Sequence, residues 1–328
     1  MKNMIETFSA LGARLLGFGD DDATRAVIDS ACRANGWFTP ADIRRAVRAI
    51  ACDMLQREKL EAWLANYPAL PVAAPRRVLV VMAGNIPLVG FFDLLCVLVS
   101  GHGCLVKPSA KDSVLMEHVV GLLREIDPSA PVRLYDGTSP VDAVIATGSD
   151  NANRYFRAHY AGIPSLLRGS RQSVAVLSGR ETPEQLAGLA DDIWAYSGLG
   201  CRSVSLIFAP EGYEPALQIP PVNDKYINNY RQQRSLLEMQ GRPFVDLGCA
   251  VAVEQCAFPA ALSRIAYAHY ATLDEVVAWL AGHDGELQCV VTGCLPHSRR
   301  AGFGCEQSQS LTDYPDDRDV IAFLAAQN

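Results

Sequence analysis

A cysteine flanked by glycines is the residue of this sequence most suited to covalent chemistry. Cys201 lies in the segment "AYSGLGCRSVSL", with Gly198 and Gly200 before it and Arg202 after it. Glycine lets backbone approach a ligand closely, and a cationic neighbour favours the thiolate, which is the nucleophilic form of cysteine. Two readings of Cys201 follow, a nucleophile or a small hydrophobe. Arg202 either supports a thiolate or points into solvent.

The remaining thiols and imidazoles give weaker signals. The chain has ten cysteines and six histidines, and no pair of cysteines has the C-x-x-C spacing. Most cysteines lie inside apolar runs, where cysteine behaves as a small hydrophobe, so we expect neither a disulfide framework nor a metal site. A cysteine–histidine hydrolase stays open as an alternative, although no histidine has a recognisable partner context. The candidates are His102, His118, His159, His269, His283 and His297.

Three further segments with polar residues follow predicted strands. In parallel α/β sheets, ligands bind at the carboxyl ends of strands, so we expect all three, together with the Cys201 segment, to lie at such ends. Each also has an ordinary explanation: Asn85 as a turn residue, Lys107 as a solvated charge, and Gly148-Ser149 as a helix cap. The segments are "MAGNIPLVG" (82–90), "LVKPSAKD" (105–112) and "ATGSDNANRYF" (146–156).

Strands and helices that alternate from residue 76 onward position these segments. Residues 40–67 read as helix, and a proline-rich linker follows. The alternation predicts an α/β fold with a mostly parallel sheet. A capping box at Thr182 begins a helix in a second α/β unit. We expect a first domain of N-terminal helices and a dinucleotide-binding fold over 1–178, a catalytic domain over 179–305, and a C-terminal tail and helix over 306–328.

Composition excludes several classes of protein. The 328 residues are 49% hydrophobic and 20% charged, and the net charge of −7 argues against nucleic-acid binding. The longest apolar run, 86–101, contains Asp93 and is shorter than the roughly 18 residues that a membrane span needs. No secretion signal is recognisable at the N-terminus. These features predict a cytoplasmic protein without a membrane span.

The order and spacing of the four segments resemble the aldehyde dehydrogenase superfamily, and most of all its LuxC-like acyl-CoA reductase branch. The matching stretches are "GNIPLVGFFDLLCVLVSGHGCLVKPS", "ATGS", "YSGLGCRSVSLIFAP" and "FGCEQSQSLTDY". The resemblance runs from about Trp37 to the C-terminus. It implies two Rossmann-type α/β domains behind a helical N-terminal segment. This chain is shorter than typical members, mainly after the cysteine.

The resemblance also implies roles for the catalytic residues. Cys201 is expected to attack a thioester carbonyl, and the Asn85 amide and the Cys201 backbone N–H are expected to stabilise the resulting oxyanion. Gly200 is expected to let substrate and backbone approach each other.

Cofactor binding follows from the same resemblance. Lys107 is expected to bind the cofactor ribose, and Gly148 and Ser149 to place free N–H groups toward a phosphate. NAD-preferring relatives commonly have a glutamate three residues after the lysine, where this chain has Ala110. With Ser109 and Lys111 nearby, we expect NADPH, and NADH is the alternative cofactor.

Two departures from related enzymes are informative. No G-x-G-x-x-G follows the first strand, which argues against a conventional dehydrogenase and fits this superfamily. Aldehyde-oxidising members have a glutamate linked to water activation, whereas this chain has Leu167 or Arg168 at that place. An acyl-cysteine formed here is therefore expected to be reduced rather than hydrolysed.

The expected activity is NAD(P)H-dependent reduction of an acyl-CoA to an aldehyde through an acyl-cysteine. The alternatives are reduction of a carrier-protein thioester or an acyl phosphate, and a non-reducing subunit that holds an acyl group on the same cysteine. Expected partners are an acyl-CoA or acyl-carrier-protein substrate, and either a second copy of the chain or an enzyme that takes the aldehyde. We expect no metal and no nucleic acid.

Overall fold

The computed structural model of the chain describes residues 2–308 and 310–327. Two compact units are present. The first contains residues up to Ser170 together with 310–327, and the second is Arg171–Ser308. The second unit begins eight residues before the boundary expected from the sequence, because the strand Gln172–Val176 pairs within the second sheet.

Four helices open the first unit, and their buried faces share one hydrophobic core with the helices that follow. Asp21 and Thr39 cap two of them through side-chain bonds to backbone N–H groups. A π-helical turn, Ile50–Met54, interrupts the continuous helix expected over 40–67, with Leu55 N–H donating to the Ile50 carbonyl at 3.2 Å. The helices are α1 (Lys2–Leu16), α2 (Asp22–Ala34), α3 (Pro40–Ala49) and α4 (Arg57–Leu64).

A five-stranded parallel sheet follows, in the order β3-β2-β1-β4-β5. The alternating pattern predicts a parallel sheet of this kind, and the resemblance implies its Rossmann type. The strand order reverses between β1 and β4, which is where such sheets bind ligands. The strands are β1 (Arg77–Val81), β2 (Gly103–Lys107), β3 (Val132–Leu134), β4 (Ala143–Thr147) and β5 (Ser165–Arg168). The helices between them are α5 (Phe91–Val99), α6 (Ser113–Ile126) and α7 (Asp150–His159).

The second unit contains a seven-stranded sheet in the order β12-β11-β6-β7-β10-β9-β8, parallel except for the β8–β9 pair. Its strands are β6 (Gln172–Val176), β7 (Val204–Pro210), β8 (Val245–Asp246), β9 (Val251–Glu254), β10 (Arg264–Tyr270), β11 (Leu287–Thr292) and β12 (Arg300–Ala301). Its helices are α8 (Pro183–Trp194), α9 (Asp224–Met239) and α10 (Leu273–Gly282). Both expected α/β units are therefore present.

The C-terminal segment returns to the first unit. Its helix α11 (Val320–Ala325) buries one face in the first hydrophobic core, and the Leu324 carbonyl lies 3.1 Å from His102 Nε2. Tyr314 accepts a hydrogen bond from Trp63 Nε1 at 2.8 Å. Within the part of the chain that the structure describes, every helix is too short or too polar to traverse a bilayer.

A buried ion pair joins α5 to the last strand of the first sheet. Arg168 Nη1 donates to both carboxylate oxygens of Asp93, at 2.9 and 2.7 Å, and the two side chains are only 4% and 7% exposed. A buried charge that loses its partner is costly, because neither water nor a counter-charge then stabilises it. Arg168 therefore needs Asp93 as its counter-charge. This pairing explains why the apolar run 86–101 contains a charged residue.

We predict that Asp93→Ala lowers the free energy of unfolding by about 3–5 kcal/mol, because Arg168 stays buried without its partner. Glu125→Ala is the matched control, since it removes an exposed partner of Arg14 and is expected to cost no more than about 1 kcal/mol. Denaturant unfolding of the full chain measures both. If both variants lowered the free energy of unfolding by the same amount, the ion pair would not have the stabilising role that its burial indicates.

Candidate active site

A left-handed turn connects α8 to Cys201. Thr182 and Gln185 form the predicted capping box at the start of α8, and the helix ends at Trp194, before Cys201. Tyr196, Ser197 and Gly198 then follow with φ of 52°, 56° and 64°. A left-handed conformation costs a non-glycine residue roughly 1–2 kcal/mol, so burial of the two side chains must maintain this turn.

A hydrogen bond from β6 fixes the backbone of Cys201. The hydroxyl of Ser173, which is fully buried, donates to the Cys201 carbonyl at 3.0 Å. The side chain of Cys201 is exposed. Since β7 begins at Val204, the cysteine lies at the amino end of a strand, and the expectation of a carboxyl end was wrong for this segment.

Exposure separates Cys201 from most of the other thiols. Burial raises the pKa of Cys249 to about 11 and that of Cys104 further still. Such thiols remain protonated and unreactive at neutral pH. Cys256 and Cys305 are also exposed, but neither lies on a strained turn like that before Cys201.

A buried group of ionisable side chains lies in the same unit as Cys201. Arg202 is 6% exposed, so it points into the protein and not into solvent, and Asp192 and Glu306 are fully buried. Asp192 accepts from the backbone N–H groups of Gly304, at 2.7 Å, and Glu306, at 3.3 Å. These two hydrogen bonds attach residues 304–306 to α8, the helix that precedes Cys201 in the chain.

The environment of Glu306 disfavours its ionised form. Burial raises its pKa well above the ordinary value, and the Asp192 carboxylate raises it further, while Ser173 and Arg202 oppose the shift. Glu306 therefore lies in the same buried group as Ser173, the residue that supports the Cys201 carbonyl.

A pocket of about 190 Å³ opens at the amino ends of β6, β7 and β10. Gly198 of the left-handed turn lines it, together with apolar side chains that include Ile193 and Leu262, and polar ones that include Gln172 and Tyr226. A ligand in this pocket would contact the turn that precedes the nucleophile.

The three histidines of the second unit are engaged away from Cys201. His283 stacks on Trp279 at a ring distance of 3.9 Å, His269 lies 3.7 Å from Glu254, and His297 accepts from the Arg299 N–H at 3.1 Å. These contacts give a cysteine–histidine hydrolase no support.

Asn85 lies in a tight turn at the carboxyl end of β1, in the first unit. A Cβ added to Gly84 would lie 2.6 Å from Ser109 Cβ, so only glycine fits there. Leu88 has a φ of 56°, and its N–H donates to the buried Asp112 carboxylate at 2.9 Å. Both ends of the turn that contains Asn85 are therefore fixed by the segment after β2.

Three expected cofactor residues lie at the same edge of the first sheet. Lys107 is the exposed last residue of β2, in register with Val81 of β1. Ser109 and the Lys111 Cβ pack beside the Gly84 turn. The structure thus brings Lys107, Ser109 and Lys111 together with the Asn85 turn.

The start of α7 differs in part from the expectation. Ser149 is the exposed N-cap, and its hydroxyl accepts from the Ala152 N–H at 3.3 Å. Gly148 donates its own N–H to the Arg168 carbonyl at 3.2 Å, so this group is not free for a phosphate. The expected free N–H at Gly148 was wrong, because β4 and β5 continue their pairing to that point.

Comparison with known proteins agrees with this arrangement. The family model described as LuxC acyl-CoA reductase matches residues 31–218. The chain belongs to the LuxC family. It is 24% identical over 175 residues to a long-chain acyl-protein thioester reductase 2 of Photobacterium leiognathi, which is 48% of this chain and 37% of that protein. A long-chain acyl-protein thioester reductase of Vibrio harveyi is 28% identical over 174 residues, 47% of this chain and 36% of that protein.

The LuxC-family chain therefore aligns with little more than a third of the length of these relatives. Solved structures confirm its aldehyde dehydrogenase fold. Aldehyde dehydrogenase 21 from Physcomitrella patens, in complex with succinate, has a TM-score of 0.69 at 12% identity, over 99% of this chain and 83% of that chain. An acetylating aldehyde dehydrogenase from Geobacillus thermoglucosidasius has a TM-score of 0.63 at 11% identity, over 94% and 84%.

Sequence reasoning missed the supporting residues of the site. Ser173, Asp192 and Asp112 occupy ordinary positions in a strand and two helices, and no spacing marks them. Glu306 stands in the quoted "FGCEQSQSLTDY", where a carboxylate shortly after an aromatic residue and a glycine was the available signal.

We predict that Glu306→Gln stabilises the protein more at pH 8 than at pH 5. The unfolded chain loses the Glu306 proton near pH 4.5. Burial raises the pKa of Glu306 in the folded chain, so the stability of the native protein falls as pH rises above that value. Glutamine keeps the shape and cannot ionise. The melting temperature of the variant minus that of the native protein should be larger at pH 8 than at pH 5, by about 3 °C or more.

Glu286→Gln, at an exposed position of the same unit, is the control and should show no such growth. A pH dependence of Glu306→Gln that matches the native protein would mean that Glu306 is ionised in the fold.

Proposed function

We propose that this protein reduces an acyl thioester to an aldehyde through an acyl-cysteine on Cys201. The observation that supports it most directly is an exposed cysteine that follows a strained, buried turn in a chain of the LuxC family. Backbone strain in a fold persists only where surrounding contacts maintain it, and it concentrates at functional sites.

The covalent step uses the Cys201 thiolate as nucleophile. Its sulfur bonds to the thioester carbonyl carbon, the bond to the leaving thiolate breaks, and the departing thiolate takes a proton from solvent. Ser173 holds the Cys201 carbonyl, so the main chain around the sulfur stays in place while the acyl group is transferred.

Charge stabilisation belongs to Asn85 in this proposal. The carbonyl oxygen becomes negative both when the thiolate attacks and when the acyl-cysteine is reduced. A fixed amide N–H donor lowers each barrier, by roughly 3 kcal/mol in comparable oxyanion holes. The glycine contact at Gly84 and the bond from Leu88 to Asp112 give the Asn85 turn the rigidity that such a donor needs.

The residues at the carboxyl edge of the first sheet fit a nicotinamide dinucleotide. NADPH, when bound, supplies the hydride for the acyl carbon. Lys107 is exposed at the end of β2 and suits the ribose hydroxyls. Ala110 offers no carboxylate that would repel a 2′-phosphate, and Lys111 is exposed beside it, which favours NADPH over NADH. Ser149 remains a candidate phosphate contact through the start of α7.

After hydride addition, the chain releases the product by breaking the bond between the acyl carbon and the Cys201 sulfur. The oxyanion collapses to the aldehyde, and the thiolate is regenerated. Hydrolysis is disfavoured, because this chain has Leu167 or Arg168 at the position that has a glutamate in aldehyde-oxidising enzymes. Leucine cannot activate water, and the Arg168 guanidinium is paired with Asp93.

Acyl-CoA is the proposed substrate, and carrier-protein thioesters are the second candidate. The relatives from Photobacterium leiognathi and Vibrio harveyi are named acyl-protein thioester reductases, which favours the second candidate. Acyl phosphates would use the same cysteine. A non-reducing acyl carrier would need no cofactor residues at Lys107, Ser109 and Lys111.

We predict that Cys201→Ala removes the acyl adduct and the reductase activity while the fold remains intact. Intact-protein mass spectrometry after incubation with acyl-CoA alone should show one added acyl group on the native protein. Cys256→Ala, which removes another exposed thiol, is the matched control and should keep the adduct. An adduct that persists in Cys201→Ala would assign the nucleophile to a different residue.

We also predict that the reverse reaction requires free CoA. Aldehyde and NADP⁺ should yield acyl-CoA when CoA is present, because a thiol can attack the acyl-cysteine without a hydrolytic base. Without CoA, oxidation should stop after about one turnover. Rapid formation of free carboxylic acid in the absence of CoA, measured by chromatography, would show that another residue activates water.

A further inference from the structure

Asp112 occupies the N-cap position of α6 but does not cap that helix. Its side chain accepts no bond from the first turn of α6. Elsewhere in this chain, aspartates at the same position do cap: Asp21 accepts from Thr24 N–H and Asp319 accepts from Ala322 N–H, each at 2.8 Å. An aspartate cap contributes about 1 kcal/mol to a helix, and α6 forgoes it.

The Asp112 carboxylate instead reaches across 24 residues of sequence to the turn after β1. Its Oδ2 accepts from the Leu88 N–H at 2.9 Å, and both residues are 3% exposed. Its Oδ1 is buried and has no hydrogen-bond partner among the described residues. Burial raises the pKa of Asp112 to about 8, and the Leu88 N–H opposes this rise. A buried, half-satisfied carboxyl group lowers stability, so stability alone does not explain Asp112.

The group that Asp112 binds is the strained point of the turn. Leu88 has a left-handed φ of 56°, which is costly for a branched side chain. The Leu88 carbonyl also accepts from the Phe91 N–H at 2.9 Å, at the start of α5. Asp112 therefore holds Leu88 in the one conformation that joins the turn to α5.

Asn85 lies between this point and the other fixed end of the turn. Gly84, directly before Asn85, packs against Ser109, and Leu88 follows three residues after Asn85. Ser109 and Asp112 belong to one short segment, where the Asp112 N–H donates to the Ser109 carbonyl at 3.0 Å. One segment thus fixes the Asn85 turn from both sides.

We propose that Asp112 is a positioning residue that orients the Asn85 amide by binding the Leu88 N–H. This inference rests on the proposed function, in which Asn85 stabilises the oxyanion. Asp112 acts through the turn and contacts no substrate. Because an amide oxygen also accepts a hydrogen bond from an N–H, asparagine can replace Asp112 in this role, and alanine cannot.

The test combines single and double variants in steady-state thioester reduction. Asp112→Ala should lower kcat by about tenfold or more with little change in KM, and Asp112→Asn should restore most of it. Asn85→Ala should lower kcat by roughly a hundredfold. Adding Asp112→Ala to Asn85→Ala should cause no further loss, because the residue that Asp112 positions is already gone.

Asp21→Ala is the control for a purely structural effect, since it removes a genuine helix cap in the same unit and should lower the melting temperature without changing kcat. The inference is overturned if Asp112→Ala has the kcat of the native protein, or if Asp112→Asn has no higher kcat than Asp112→Ala at equal folded fraction. It is also overturned if the fold-losses in kcat of Asp112→Ala and Asn85→Ala multiply in the double variant. A native protein that reduces no thioester would instead contradict the proposed function.

Discussion

The left-handed turn at Tyr196–Gly198 is the constraint on which the candidate site depends. It ends α8 and begins the loop that exposes Cys201 just before β7. Two non-glycine residues in this conformation oppose folding by a few kcal/mol together, and their burial, the Ser173 bond and the attachment of residues 304–306 to α8 maintain it. The second unit thus stores local strain where a nucleophile needs a fixed direction.

Both units surround their functional turns with buried charged or titratable groups. The first unit has the Asp93–Arg168 pair and Asp112, and the second has Asp192, Arg202 and Glu306. Burial of such groups is costly and specifies one arrangement only when each is partnered. In the first unit Asp112 binds the Leu88 N–H, and in the second Asp192 binds the Gly304 and Glu306 N–H groups. Rigidity of the two turns, rather than maximum stability, is the property that this distribution favours.

The sequence predicted the α/β class, because hydrophobic periodicity is a local signal. The family resemblance implied the two Rossmann-type units, and the role of Cys201 stays a prediction. The sequence could not locate the turn at Tyr196, since neither tyrosine nor serine favours left-handed backbone and only tertiary packing imposes it. Gly148 was assigned a free N–H because the length of the β4–β5 pairing is not local information. Asp112 was given no role from the sequence, because its partner Leu88 lies 24 residues away and no local pattern links the two.

The most direct test of the account is the stoichiometry of one assay. Purified protein, acyl-CoA and NADPH are mixed, and aldehyde, free CoA thiol and NADPH consumption are measured together. The account predicts equal amounts of all three, and a higher kcat/KM with NADPH than with NADH. Release of CoA with a stable acyl-protein and no NADPH consumption would contradict it, and would identify Cys201 as the anchor of an acyl carrier.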